Sequence, residues 1–344
     1  MNTQDELMHP VGDDPAWSES YYFNFVDPDS KIAMFSRMGF RPNNGWADGL
    51  HVVYLGGDRV AFTYGRREIE KDLSIYSADL SAGDLRFVCD AAFERWQIHY
   101  EGAAQDIPDA AILLERRKAR PDGWFDPAHL EMHINFNALT EPHYSIGEES
   151  SAGASGSSQR GHFEQSGKVT GSIKIAGDTW QVSGFGVRDK SWGPRDWGAS
   201  NRPTDEASSP SESQIELSGP APFVNWFSMN FGPDIALGGA CGRAPDGEMR
   251  GQGWYLEDGT STELHDVHIT TRYKPGSIWH THVHLRAETG TGKSLDIQGK
   301  VLTVCPTKIP TPGGATFVNE GLVEFTMGNK TGYGIAEHWH SVRT

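Results

Sequence analysis

Hydrophobic and polar residues alternate along most of this chain in short runs with a period of two, the pattern of half-buried β-strands. The aromatic run Tyr21-Tyr22-Phe23-Asn24-Phe25-Val26 predicts the first ordered strand, and similar runs follow at 32–38, 49–55, 59–64, 73–77, 85–89, 96–100, 112–117 and 129–137. Spacings of about a dozen residues suit an antiparallel meander. Helix signals are weak, with 90–96 the best candidate for a short helical turn. A second series, at 162–165, 169–175, 179–182, 223–231, 251–255, 267–273, 279–285, 294–304, 321–326 and 331–338, repeats the pattern.

Between the two series lies IGEESSAGASGSSQRG, residues 146–161, a Ser/Gly-rich stretch without apolar periodicity. It divides the 344 residues into halves that are each large enough for a core. The expected organisation is a polar N-terminal arm over 1–20, a first domain over 21–145, a linker over 146–161 and a second domain over 162–344. A polar insertion, NRPTDEASSPSESQ, occupies 201–214. With 40 Gly and 19 Pro as turn formers, the fold class is all-β.

Charge narrows the partners. A formal net charge of −16 opposes binding to phosphate backbones and to anionic lipid surfaces, so neither nucleic acid nor membrane is an expected partner. The three cysteines, Cys89, Cys241 and Cys305, have no CxxC spacing, which fits a reducing compartment. The first residues, MNTQDELMHPVGDDPAW, lack basic and apolar signal regions, so a cytoplasmic location is expected. A homodimer is compatible with this reading.

The least random stretch is GFGVRDKSWGPRDW, residues 184–197, with two Arg-Asp dipeptides, two Trp and three Gly. If it continues an extended strand, Arg188, Lys190 and Trp192 share one face and Asp189 and Ser191 the other. Ions interleaved with indoles are either buried struts or a site. As a site, Asp189 or Asp196 supplies acid/base chemistry, Trp192 and Trp197 wall a cavity, and Arg188 and Arg195 hold architecture or a polar substrate group. His162 and Glu164 share a strand face at a spacing that suits a proton relay. The Arg41-Pro42-Asn43-Asn44-Gly45 turn could bring Arg41 and Asn43 to the cavity wall, with Tyr22 and Trp226 as further walls.

Two HxH patterns, His280/His282/His284 and His338/His340, place imidazoles side by side if their strands are regular. No well-placed carboxylate or Cys completes either set, so no metal is assigned. TGTGKS at 289–294 lacks the first glycine of a phosphate loop and reads as a hairpin turn, and there is no GxGxxG, GxSxG or HExxH.

The signature GFGVRDKSWGPRDW, preceded by HFEQSGKVTGSIKIAGDTW, resembles the lipocalin-like carotenoid hydratase (hydroxyneurosporene synthase) and AttH-like superfamily, in an uncharacterised bacterial branch. The resemblance spans both halves and is specific mainly over 161–197. It implies two calycin-type antiparallel β-barrels packed side by side, with a ligand pocket in or between them. It also implies a lyase of hydratase type that acts on a hydrophobic alkene-containing or aromatic small molecule without metal or redox cofactor. Carotenoid hydratases carry His and Asn where this chain has Lys190 and Ser191. The same acid and base groups would serve an isomerase or a retro-aldol carbon–carbon lyase, and a non-catalytic carrier of lipophilic ligands is the rival from another class.

Overall fold

In a computed structural model, the structure describes residues 3–144, 160–195, 222–243, 246–311 and 314–343. Most of them lie in antiparallel β-strands. The first series is β1 (Trp17–Asp27), β2 (Ile32–Arg41), β3 (Trp46–Tyr54), β4 (Val60–Glu68), β5 (Asp79–Ala82), β6 (Leu85–Ala91), β7 (Arg95–Ile107), β8 (Asp126–Ala138) and β9 (His143–Tyr144). Two long strands follow, β10 (Gly161–Ile175) and β11 (Asp178–Pro194). The last series is β12 (Val224–Asn230), β13 (Ile235–Arg243), β14 (Met249–Glu257), β15 (Thr260–Tyr273), β16 (His280–Thr289), β17 (Ser294–Thr311), β18 (Gly314–Met327) and β19 (Lys330–Arg343).

The strands β12 to β19 close an eight-stranded barrel in simple sequence order. The first sheet runs β4-β3-β2-β1-β11-β10-β8-β7-β6-β5, and a further pairing of β4 with β7 closes it into a second ring from which β6 and β5 extend. That closure uses Val60 opposite Ile107 and Phe62 opposite Gln105. It is reinforced by Arg59, which donates to both carboxylate oxygens of Asp106 at 2.8 and 2.6 Å.

Two expectations about organisation are corrected here. The boundary at 146–161 does not separate the two sheets, because β10 and β11 fill the gap between β8 and β1 in the first one. A linker-like composition marks a place where the chain can leave a sheet, and strand pairing alone decides whether it returns. The N-terminal arm is also no loose tail: Trp17 to Ser20 already belong to β1. Glu6, with no exposed surface, is inserted at the first barrel's core, where it accepts from Arg188, from the Trp96 indole and from the Phe93 amide.

Smaller differences have local causes. Segments 73–77 and 112–117 contain short 3-10 turns, Leu73–Tyr76 and Ala110–Leu114, whose preceding Asp72 and Asp109 accept from the amides of Ser74 and Ala111. Residues 90–96 form no helix but the tight connection between β6 and β7, with Phe93 at φ 60°. The strand β13 escaped the hydrophobic pattern because Gly238, Gly239 and Gly242 interrupt it.

Three apolar layers follow from the alternation. On β1, Tyr21, Phe23 and Phe25 point into the first barrel, where they meet Phe87, Trp96 and Phe136. Phe227, Leu237, Val283 and Phe325 fill the second barrel. Between them, Tyr22, Phe35 and Val187 on the outside of the first barrel pack against Trp226, Leu322 and Ile335 on the outside of the second. The barrels thus lie side by side, joined by a continuous apolar seam.

Candidate active site

The seam opens into a cavity of about 950 Å³ lined by residues of both barrels. Register places residues along its inner wall and just behind it. On the first barrel, Tyr22 of β1, Asp189 of β11 and Glu164 of β10 lie directly opposite one another in a row across three strands. On the second, Trp226 of β12, Glu337 of β19 and Glu320 of β18 form a matching row. The rows meet at both ends. The Tyr22 hydroxyl donates to Glu320 Oε2 at 3.0 Å, and the Trp226 indole donates to Glu164 Oε1 at 2.6 Å.

Glu320 and Glu337 are the chemical centre of this wall. Both are buried, and their carboxyls are hydrogen-bonded to each other. Burial pushes Glu320 well above the ordinary carboxylate range, and the adjacent charge of Glu337 pushes it further; the Tyr22 hydroxyl opposes the shift. Burial also raises Glu337, against hydrogen bonds from Glu320 and from the Trp339 indole. Two carboxyls held this close in low dielectric resist ionising together, which favours a proton shared by the pair.

Across from them, Asp189 lines the cavity and His162 Nε2 stands 3.5 Å from its Oδ2. The same imidazole nitrogen is 3.9 Å from Glu164 Oε1. Burial lowers the His162 pKa, but the hydrogen bond and charge of Asp189 and the charge of Glu164 outweigh it and leave the imidazole above its usual value. Glu164 is raised by burial, an effect opposed by His162 and by the indoles of Trp226 and Trp254, which donate at 2.6 and 2.7 Å. Gly238 is what lets this carboxylate reach the second barrel, since a Cβ there would lie 2.5 Å from Glu164 Oε2.

The signature strand therefore serves two compartments. Asp189 faces the cavity, whereas Arg188, Lys190 and Trp192 face the interior of the first barrel. Arg188 does not reach a substrate: Glu6 holds it through two bonds of 2.7 Å, and Gln165 through one of 2.8 Å. Trp192 is stacked on His9 at 4.1 Å between ring centres, again away from the cavity. Arg195 does line the cavity, as do Tyr22 and Arg41. Asn43 does not; its amide donates to the carbonyls of Gly12 and Asp14 and ties down the N-terminal segment. Trp226 stands one layer behind, edge-on to Tyr22 at 5.4 Å. Asp196, Trp197 and the insertion at 201–214 lie outside the described residues.

Sequence reasoning missed Glu320 and Glu337, which are distant from the signature and share no motif with it. It also misread the first HxH strand. Consecutive Arg272 and Tyr273 of β15 pair with His282 and His280, so Thr281 of β16 is the extra residue of a bulge that breaks the alternation, and His280 is buried while His282 and His284 turn outward. His280 instead meets His338 of the other HxH pair at 4.0 Å between ring centres inside the second barrel. Among the described residues no group of three His, Cys, Asp or Glu is arranged to hold a metal ion. Nor is any described helix long and apolar enough to cross a membrane.

The model of one protein family, described as a domain of unknown function (DUF7064), matches residues 2–342. The chain belongs to this family. No curated protein matches it in sequence. Among solved structures, CghA with Sch210972 is similar, at a TM-score of 0.53 and 11% identity, over 96% of this chain and 89% of the other. A second structure of CghA gives 0.51 and 12%, over 96% and 88%. Kievitone hydratase from Nectria haematococca gives 0.47 and 10%, over 98% and 93%. At these identities the likeness to CghA is one of fold, and it extends over both barrels.

Proposed function

We propose that this protein is an acid–base enzyme of the lyase type, which adds water to, or removes it from, a hydrophobic alkene-containing or aromatic small molecule bound between the barrels. The observation that carries the reading is the buried Glu320–Glu337 pair, which lines one cavity together with Asp189, itself backed by His162 and Glu164. A carboxyl that keeps its proton beside a carboxylate that is ionised is the division of labour that hydration requires.

In the forward direction the shared carboxyl proton passes to an alkene carbon, and the π pair forms the new C–H bond. Positive charge develops on the neighbouring carbon, where the indole face of Trp339 and the charge of Glu337 lower its energy. A water oxygen then bonds to that carbon while its proton passes to the Asp189 carboxylate. Exchange with solvent returns Asp189 to its ionised form and the pair to its protonated form. Run backwards, the same steps dehydrate an alcohol. Removal of a carbon-bound or hydroxyl proton by Asp189 would instead give isomerisation or retro-aldol cleavage with the same residues.

The resemblance of 184–197 to carotenoid hydratases supports this reading, and the geometry limits one departure from them. Lys190 lies on the core side of β11, where its ammonium donates to Glu19 at 2.6 Å and to the Leu7 carbonyl at 2.7 Å, so that difference does not touch the cavity. The fold shared with CghA, a protein solved with Sch210972, supports a ligand-binding role for the cavity.

The test is incubation with hydrophobic alkenes, among them geranic acid and 4-vinylphenol, in ¹⁸O-water with mass spectrometry of the products. Uptake of one labelled water is expected, with losses on the order of 10²-fold or more in Asp189→Asn and Glu337→Gln. A ligand retained tightly and recovered unchanged from the wild-type protein would favour a carrier instead.

A further inference from the structure

The carboxyl wall is only the inner end of the cavity. Among all its lining residues, Arg and Lys outnumber Asp and Glu seven to four, although the chain as a whole carries a net charge of −16. Two of the four acids, Glu320 and Glu337, share a proton, which widens the imbalance further.

The most exposed of these cations, Arg66, Arg117 and Lys308, mark the mouth, and three of the seven lie over tryptophan rings. Arg41 and Arg66 lie over the Trp46 ring, at 4.7 and 3.8 Å from its centre. On the facing wall Arg120 lies over Trp124 at 4.5 Å. Lys308, on β17 of the second barrel, is close enough to Arg120 for the two to repel. Like charges of this kind are unfavourable to one another: burial and the neighbouring Arg116 and Arg120 lower the Lys308 pKa, and burial and Arg37 bring Arg41 down to about 10. Arg66 and Lys308 are exposed, whereas Arg41 and Arg120 are half-buried. An acidic protein that gathers mutually repelling cations around one opening has built a local field that draws in and holds an anion. Arg120 is held in place by donating to the carbonyls of Leu113 and Glu115, and guanidinium groups fixed beside indoles offer positive charge that suits a carboxylate or enolate.

Resting on the acid–base reading of the same cavity, we infer that the substrate is an amphipathic organic anion, an apolar alkene or aromatic body carrying one carboxylate or similarly acidic enolate. The anionic group is held at the Trp46/Trp124 mouth by Arg41, Arg66, Arg120 and Lys308, and the apolar body reaches inward to the Glu320–Glu337 pair. This polarity fixes which end of the molecule meets the acid.

Geranic acid and its methyl ester share an apolar body and differ in charge, so their binding to the full-length protein, followed by calorimetry, isolates the mouth. Geranate is expected to bind at least about tenfold more tightly than methyl geranate, with the preference shrinking as salt is raised from 0.05 to about 0.5 M. In the Arg120→Gln/Lys308→Gln double variant the preference should fall at least about threefold, while the affinity for methyl geranate stays within error. Equal or tighter binding of the ester to the wild-type protein would overturn the inference, as would a preference that survives undiminished in the double variant. Both results are independent of turnover. Labelled-water addition with no charge preference would leave the acid–base reading standing without this one, and a charge preference without any turnover would do the reverse.

Discussion

Glu320 and Glu337 face each other across β18 and β19 with their carboxyls hydrogen-bonded, and Tyr22 from the other barrel donates to Glu320 at 3.0 Å. Neither barrel alone makes this arrangement. The second supplies the carboxyl pair, and the first covers it, withdraws it from water and so keeps its proton in place.

The proton on this pair sets the pH response. Both carboxyls are raised above the usual range, chiefly by burial. The native state therefore binds a proton that the unfolded chain has already released at neutral pH, and stability contributed by the pair is full below the ordinary glutamate pKa and declines as pH rises through the raised value. Turnover should decline over the same window as the acid is lost. In Glu320→Gln the pH dependence of urea unfolding should flatten on the alkaline side; an unchanged slope would show that the pair does not titrate there.

Asp189 and His162 should separate by role. Asp189→Asn removes the proton acceptor, and kcat is expected to fall by about 10²–10⁴-fold with folding intact. His162→Gln leaves the acceptor but removes the titratable imidazole between Asp189 and Glu164, so a smaller loss with a displaced pH profile is expected. Equal losses with identical pH profiles would contradict this separation.

Arg188 and Glu6 are a strut, and their variants should report stability. Glu6→Gln leaves a buried guanidinium without its ionic partner and should cost about 3–5 kcal/mol. The Glu6→Met/Arg188→Met pair replaces both ions with apolar groups and should recover much of that loss. Chemical denaturation measures both, and kcat under folding conditions should change little because neither residue lines the cavity.

Gly238→Ala would place a methyl group 2.5 Å from Glu164 Oε2 and 2.8 Å from the Trp254 ring. Overpacking of this kind typically costs about 1–3 kcal/mol. Displacement of Glu164 should also shift the His162 titration followed by NMR. A stable variant with an unaltered titration would mean that the contact is not tight.

The period-two pattern was enough to identify an all-β chain, and alternation across 184–197 correctly set Arg188 apart from Asp189. It could not say which face would be cavity and which core. Arg188 and Trp192 looked as suitable for a substrate as Asp189 did, because residue type carries no information about what lies opposite. His280 shows the same limit at smaller scale: one bulge at Thr281, set by the pairing with the neighbouring strand, turns it inward and breaks the HxH face.

The sequence by itself determined strands, turns, an acidic net charge and one strand dense in ionisable groups, because these depend on near neighbours and composition. Only the tertiary structure decided that β10 and β11 belong to the first barrel, that Glu6 from the N-terminal segment neutralises Arg188, and that Glu320 and Glu337 meet Tyr22 and Asp189. The physical reason is that a carboxyl becomes an acid at neutral pH through burial and close like charge, and both are properties of the space around it, set here by residues as far apart in the chain as Tyr22 and Glu320.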